Sequence, residues 1–285
     1  MDLKAKLSVI LPAMRGLDSV RAAVHAWERQ TVREQIEIVV VGPEAGERPG
    51  LRILCVGEAM LHEARRQGIL AARAEAVVIA EDHCLPERDW AEKVLACLAA
   101  GEDAIGPALR GGNPAHGACR ASFLLGYGEW TEPVESGRVE VLPGHNVVVR
   151  KALLERYGEE LGDLLVVCSF LIQRLRQDGV RFYLEAGARM RHYDIASWAD
   201  TLQVFAYVGL GFGARRTAAW PAGGRWIYWL ATPAVAAAHW RRGVKHWWRV
   251  KRGAQAGDVL GLAAVALVWG VAEGVGAWLG PERTR

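Results

Sequence analysis

The first hundred residues alternate between short, continuous apolar runs and stretches with helical spacing. Residues 7–11 (LSVIL), 36–41 (IEIVVV), 52–56 (RILCV) and 76–80 (AVVIA) each read as a buried strand; Pro12 follows the first and Gly42-Pro43 closes the second. Between them, residues 19–30 place Val20, Ala23, Val24 and Trp27 on one helical face. Residues 60–73, rich in Ala, Leu and Arg, and residues 90–100 read as further helices. This alternation predicts an α/β domain with a mostly parallel sheet flanked by helices. Ligands of such sheets bind beyond the carboxyl ends of the strands. Glu81-Asp82-His83, directly after the fourth run, therefore stands where chemistry is expected.

Past residue 100 the pattern loosens. Residues 111–116 read as a loop, and 139–150 as a strand-and-loop segment containing Gly144-His145-Asn146. Residues 164–177 are helical and end before Gly179, and 182–184 form a short strand leading to His192. From about residue 201 two apolar runs dominate: 226–239, interrupted by Pro233, and 259–279, interrupted by Glu273.

Charge sharpens that division. The net charge of +3 hides a segment, 201–257, with nine Lys and Arg and no acid, so the first 200 residues carry about −5. Eight of the 12 tryptophans lie from Trp220 onward, and Trp favours the boundary between water and lipid. The stretch 241–252 (RRGVKHWWRVKR) mixes cations with Trp, a combination suited to an anionic lipid surface. The same mixture could stack on nucleic acid, but the acidic body argues against an extended basic groove. Residues 259–279 are long enough to cross a bilayer. Glu273, and basic residues on both flanks, instead favour helices lying in the interface; a helical hairpin packed on the rest of the chain is the alternative. The five cysteines lack CxxC spacing and Met1 runs straight into charged residues, so the chain reads as cytosolic with reduced thiols.

Two carboxylates and an imidazole in three residues can hold a divalent ion and a nucleotide ribose. Such a tripeptide alone is as readily a solvated turn. His192 alone reads as a histidine satisfied by backbone, and His145-Asn146 as a turn, since Asn tolerates left-handed geometry. Arg65-Arg66 reads as an exposed helix face, with phosphate contact as the sharper option.

The order of these elements resembles that of family 2 glycosyltransferases with the GT-A fold. The resemblance rests on the strand ending at Pro12, Ala64-Arg65-Arg66-Gln67-Gly68, the strand running into Glu81-Asp82-His83, Leu142-Pro143-Gly144-His145-Asn146, Arg174-Leu175-Arg176-Gln177-Asp178-Gly179 and His192. Residues 270–280 (GVAEGVGAWLG) resemble the end of a membrane-associated subgroup. It implies donor contacts from Pro12, Glu81 and Asp82, a metal (Mg²⁺ or Mn²⁺) on Asp82, His83 and His192, and an acceptor side at Gly144, His145 and Asn146. Glu81-Asp82-His83 takes the place of the family's DxD motif. No acid follows the second strand until Glu44, and Arg66 replaces the family's Asn. Cys168 occupies the usual position of the catalytic carboxylate. An ordinary thiol is mostly protonated at neutral pH. On one continuous helix Asp163 would face about 140° away and Asp178 would lie about 15 Å along the axis.

The expectation is a GT-A domain over residues 1–198 and a basic, Trp-rich helical module over 199–285. The chain would move a sugar from a UDP- or GDP-sugar to a hydroxyl of a lipid-linked or glycan acceptor, by an inverting reaction at the cytoplasmic face of a membrane. The alternative is a catalytically impaired binding or scaffold protein.

Overall fold

Continuous apolar runs form strands buried on both faces because the side chains above and below the sheet have nowhere else to go. In the computed structural model, which describes residues 5–44, 46, 48–113, 115–250 and 256–280, the four apolar runs build the parallel part of one sheet, but the run at 52–56, expected to be a buried strand, forms the sheet's edge and is only partly buried. The four strands are β1 (Leu7–Pro12), β2 (Ile36–Gly42), β3 (Arg52–Cys55) and β4 (Ala76–Ile79). Every residue of β1 and β4 is buried. The remaining strands are β5 (Cys84–Pro86), β6 (Ala104–Gly111), β7 (Gly137–Val139), β8 (Val148–Arg150) and β9 (Phe182–His192). The order is β3-β2-β1-β4-β8-β6-β9-β5, with β7 also on β9. The parallel half follows the strand-helix alternation, whereas β8 runs antiparallel to both β4 and β6, and β5 antiparallel to β9.

Helices α1 (Arg21–Glu28), α2 (Leu61–Ala71) and α3 (Trp90–Ala99) connect the strands. Trp27 of α1 meets Trp90 of α3 edge to face at 5.0 Å, a contact worth about 0.5–1.5 kcal/mol beyond its buried area. Gly68 explains why α2 lies so close to the sheet: a Cβ there would stand 2.5 Å from Ile10 Cγ2 and 2.8 Å from Val41 Cγ2.

Helix α4 (Gly117–Tyr127) occupies a stretch without a clear sequence signal. The single helix expected over 164–177 is broken. After α5 (Lys151–Glu155), the chain forms α6 (Glu160–Leu165), then a turn, then α7 (Ser169–Gln177), so Cys168 caps the start of α7. Then come α8 (Trp198–Arg216), α9 (Ala222–Leu230), α10 (Thr232–Val250) and α11 (Ala256–Leu279). Pro233 falls in the first turn of α10, where its missing N–H costs nothing.

The chain divides into two compact units: residues 1–110 with 134–192, and residues 111–133 with 193–285. The first holds the sheet. In the second, Ala121, Leu124, Leu125, Phe205, Leu262 and Trp269 are among the side chains of an apolar core. Helices α8 and α11 approach through glycines: a Cβ on Gly213 would fall 1.8 Å from the Glu273 carbonyl oxygen, and one on Gly276 2.0 Å from that of Leu210. Glu273, fully buried, accepts from Tyr228 Oη at 2.6 Å and lies 2.9 Å from both Arg216 Nη1 and His239 Nε2. A carboxylate so supplied is tolerated inside an apolar helix. Among the described residues α11 alone is long and apolar enough to cross a membrane, and 56% of its most apolar stretch is buried within the chain. Lys251, Arg252, Arg283 and Arg285, which the sequence places in basic flanks, lie outside the described residues.

Candidate functional site

Strand register assembles the site. Glu81-Asp82-His83 turns the chain from the carboxyl end of β4 into β5, and β5 pairs Cys84 with His192 at the end of β9. The late histidine is thereby fixed beside residues more than a hundred positions earlier in sequence. From the other side, β8 runs antiparallel to β4 with Val148 opposite Val78, so residues 144–147 arrive at the same strand end. Asn146, at φ 60°, donates its backbone N–H to the Ile79 carbonyl at 2.6 Å. Its amide oxygen accepts from the Glu81 N–H at 3.2 Å and its Nδ2 donates to Glu81 Oε2 at 2.8 Å.

Glu81 is the centre. One ligating atom each from Glu81, His83 and His192 lies within 4.8 Å of the others. His192 Nε2 is 3.6 Å from Glu81 Oε2 and His83 Nε2 is 3.8 Å from Glu81 Oε1; the two imidazoles meet edge to face at 4.7 Å. Asp82 stands apart: it faces His83 Nδ1 at 2.6 Å and accepts from Arg15 Nη2 at 2.8 Å. The set that could share an ion is thus Glu81, His83 and His192, with Asp82 orienting His83 from behind. Pro12 is buried at the carboxyl end of β1, in register with Val41 of β2.

Two imidazoles and a carboxylate suit a divalent metal that accepts nitrogen as well as oxygen, so the side chains present fit such an ion. Burial alone would raise the Glu81 carboxyl, but the charges of His145, His83, His192 and Arg65 outweigh it and hold it well below the usual carboxylate range. For Asp82 burial also pulls upward, and the hydrogen bonds from His83 and Arg15 bring it down.

The residues expected on an acceptor side lie behind the same carboxylate. His145 Nδ1 is 3.2 Å from Glu81 Oε1, and its ring also meets the Cys168 thiol. Burial pushes the Cys168 thiol up, yet His145 and Arg65 bring it below its ordinary value. For His145 burial lowers and Cys168 and Glu81 raise, with a net rise. Cys168 itself is fully buried. Gly144 permits the approach: a Cβ there would lie 3.0 Å from the Ser169 backbone nitrogen.

Two further residues reach the site: Arg65, which the sequence puts on an exposed helix face and the structure instead buries against the sheet side of α2, and Arg15, which no motif marks. Arg65 is 6% exposed and points its charge at Glu81, with no hydrogen-bond partner for its Nε. Its spacing three residues before Gly68 was the available signal, since both lie on the face of α2 that meets the sheet. Arg15 had none; only the folded loop after β1 brings it to Asp82.

No protein-family model matches the sequence, and no curated protein matches it. Among solved structures, the crystal structure of GalNAc-T7 with UDP, GalNAc and Mn²⁺ aligns with a TM-score of 0.51 at 14% identity, over 66% of this chain and 43% of that one. The fold is GT-A. TarS of S. aureus (residues 1–349) aligns with a TM-score of 0.47 at 13% identity, over 73% of this chain and 65% of that one. The chain spans less than two thirds of either protein. In the GT-A frame Glu81, His83 and His192 sit at the carboxyl edge of the parallel strands, where α/β sheets bind their ligands.

Proposed function

We propose that this protein is a metal-dependent glycosyltransferase that takes a sugar from a nucleoside diphosphate and works at a lipid surface. The observation that carries the reading is the Glu81–His83–His192 cluster at the end of β4. These three side chains would hold the ion, and their nitrogen content favours Mn²⁺ over Mg²⁺. When bound, the ion supplies positive charge for a diphosphate leaving group.

The chain's own residues do the rest. Asp82 fixes the His83 ring through Nδ1 and leaves Nε2 for the ion. Asn146 and His145 orient the Glu81 carboxylate from behind. Pro12, at the mouth of β1, would border the nucleotide base, and Gly144 would line the acceptor side. The acceptor hydroxyl would belong to a lipid-linked or glycan molecule at the cytoplasmic face, because the basic, Trp-rich segment beyond residue 199 suits an anionic membrane and not a nucleic-acid groove.

One observation favours a second reading, a donor-binding protein without turnover. Cys168, where the family resemblance places the base, is fully buried and engaged with His145. Release of nucleoside diphosphate from a panel of UDP- and GDP-sugars with Mn²⁺ separates the two. The transferase reading expects release by wild type and at least a hundredfold loss, roughly, in His83→Ala. Donor binding with no release by wild type, and release gained in Cys168→Glu, would favour the second.

A further inference from the structure

Helix α9 is apolar yet buries none of its residues. Ile227 is 69% and Leu230 66% exposed, and Trp226 and Trp229 are exposed beside them. A soluble protein gains nothing from holding such side chains in water. The helix is instead held by polar ties: Arg225 donates to the Thr217 and Ala218 carbonyls, and Tyr228 donates to buried Glu273. These ties fix the apolar side outward.

The surface continues onto α11. Trp226 packs against Trp278 at 4.1 Å and against Trp229 at 5.5 Å, so three indoles form one cluster. Along α11 the exposed large side chains are Leu260, Leu267, Val271 and Trp278. Their spacing of seven, four and seven residues places all four on one face, a stripe about 27 Å long. The charged residues of α11 itself, Asp258 and Glu273, are buried and lie off this stripe.

Charge selects the occupant. Residues 201–257 contain nine cations and no acid, and Arg241 and Lys245 of α10 are exposed in the same unit. An apolar face edged with indoles, in a unit so cationic, complements a bilayer bearing anionic headgroups.

We infer that α9, with the exposed face of α11, is the membrane-inserting surface: Ile227 and Leu230 enter the acyl region, and Trp226, Trp229 and Trp278 lie at headgroup level. The assignment rests on the membrane part of the reading above and names the element responsible. The helices lie along the interface, and α11 keeps its other face on the chain's own core.

The test is flotation of the full chain with phosphatidylcholine vesicles, with and without phosphatidylglycerol. Three proteins are compared: wild type, Ile227→Asp/Leu230→Asp, and Met60→Asp/Leu70→Asp. The last makes the same charge change at exposed positions of the first unit. Circular dichroism checks that all three are folded. Wild type and the Met60/Leu70 variant are expected to float with the anionic vesicles, and the Ile227/Leu230 variant to bind at least about tenfold more weakly. Equal weakening of both variants would reduce the effect to charge and overturn the assignment. Undiminished binding by the Ile227/Leu230 variant would overturn it while leaving membrane association standing. No flotation of wild type would remove the membrane reading itself. Wild-type self-association that the Ile227/Leu230 variant abolishes, without lipid binding, would make a second copy the occupant.

Discussion

Asn146 does more for the site than any sequence motif suggested. Its left-handed backbone and both ends of its amide are committed to Ile79, Glu81 and Cys84. Asn146→Ala should cost about 2–4 kcal/mol in chemical denaturation, because it strips three buried hydrogen bonds and forces Ala to positive φ. Asn146→Gly should recover about 1 kcal/mol of that by relieving the backbone alone. A second prediction concerns the Cys168–His145 pair. The folded thiol lies below its unfolded value, so its contribution to stability is complete above the unfolded thiol pKa and is lost as pH falls through the folded one. The folded imidazole lies above its unfolded value, so its share is complete below that value and is lost as pH rises through the folded pKa. The 240 nm difference between wild type and Cys168→Ala should therefore titrate below the ordinary thiol range, and His145→Gln should move it upward. An unmoved midpoint would detach the two residues. The family resemblance singles out Cys168, but its partner is not legible in the sequence: His145 reaches it through strand register and a broken helix, neither of which leaves a local pattern.

At the level of elements, the strands buried on both faces announced themselves as unbroken apolar runs, and α1 to α3 as periodic stretches. Of the later strands, β5, β7 and β8 are three residues each, too short for periodicity to mark, β6 is interrupted by Gly106 and Pro107, and β9 runs from Phe182 to His192, well beyond the short strand expected over 182–184. Helix α4 has small residues and a weak apolar face, and only its packing in the second unit makes it a helix. The glycines of α8 and α11 could not be interpreted without knowing that the two helices touch. Gly213→Ala should destabilise the second unit by at least about 2 kcal/mol, since a methyl group there meets the Glu273 backbone. Gly223→Ala in α9 meets nothing within 4 Å and should be neutral or stabilise by a few tenths to about 1 kcal/mol. Thermal or urea unfolding of the two variants compares them directly, and equal effects would show that close approach is not what sets the α8–α11 pair.

For the molecule as a whole, the sheet unit carries the candidate ion site and, on the proposed reading, the basic, Trp-rich helical unit offers the lipid-facing surface. Attraction between the basic unit and anionic vesicles should weaken as salt rises from 0.1 M to 1 M, because the screening length falls from about 10 Å to about 3 Å. Binding that persists unchanged would mean that apolar insertion alone sustains it. Register, burial and donor chemistry converge on Glu81. Calorimetric titration with UDP and GDP, with and without Mn²⁺, in wild type and His192→Ala, tests the ion site most directly. The account predicts nucleotide binding that needs the metal and is lost in His192→Ala. Binding of equal strength without metal, or undiminished in His192→Ala, would contradict it.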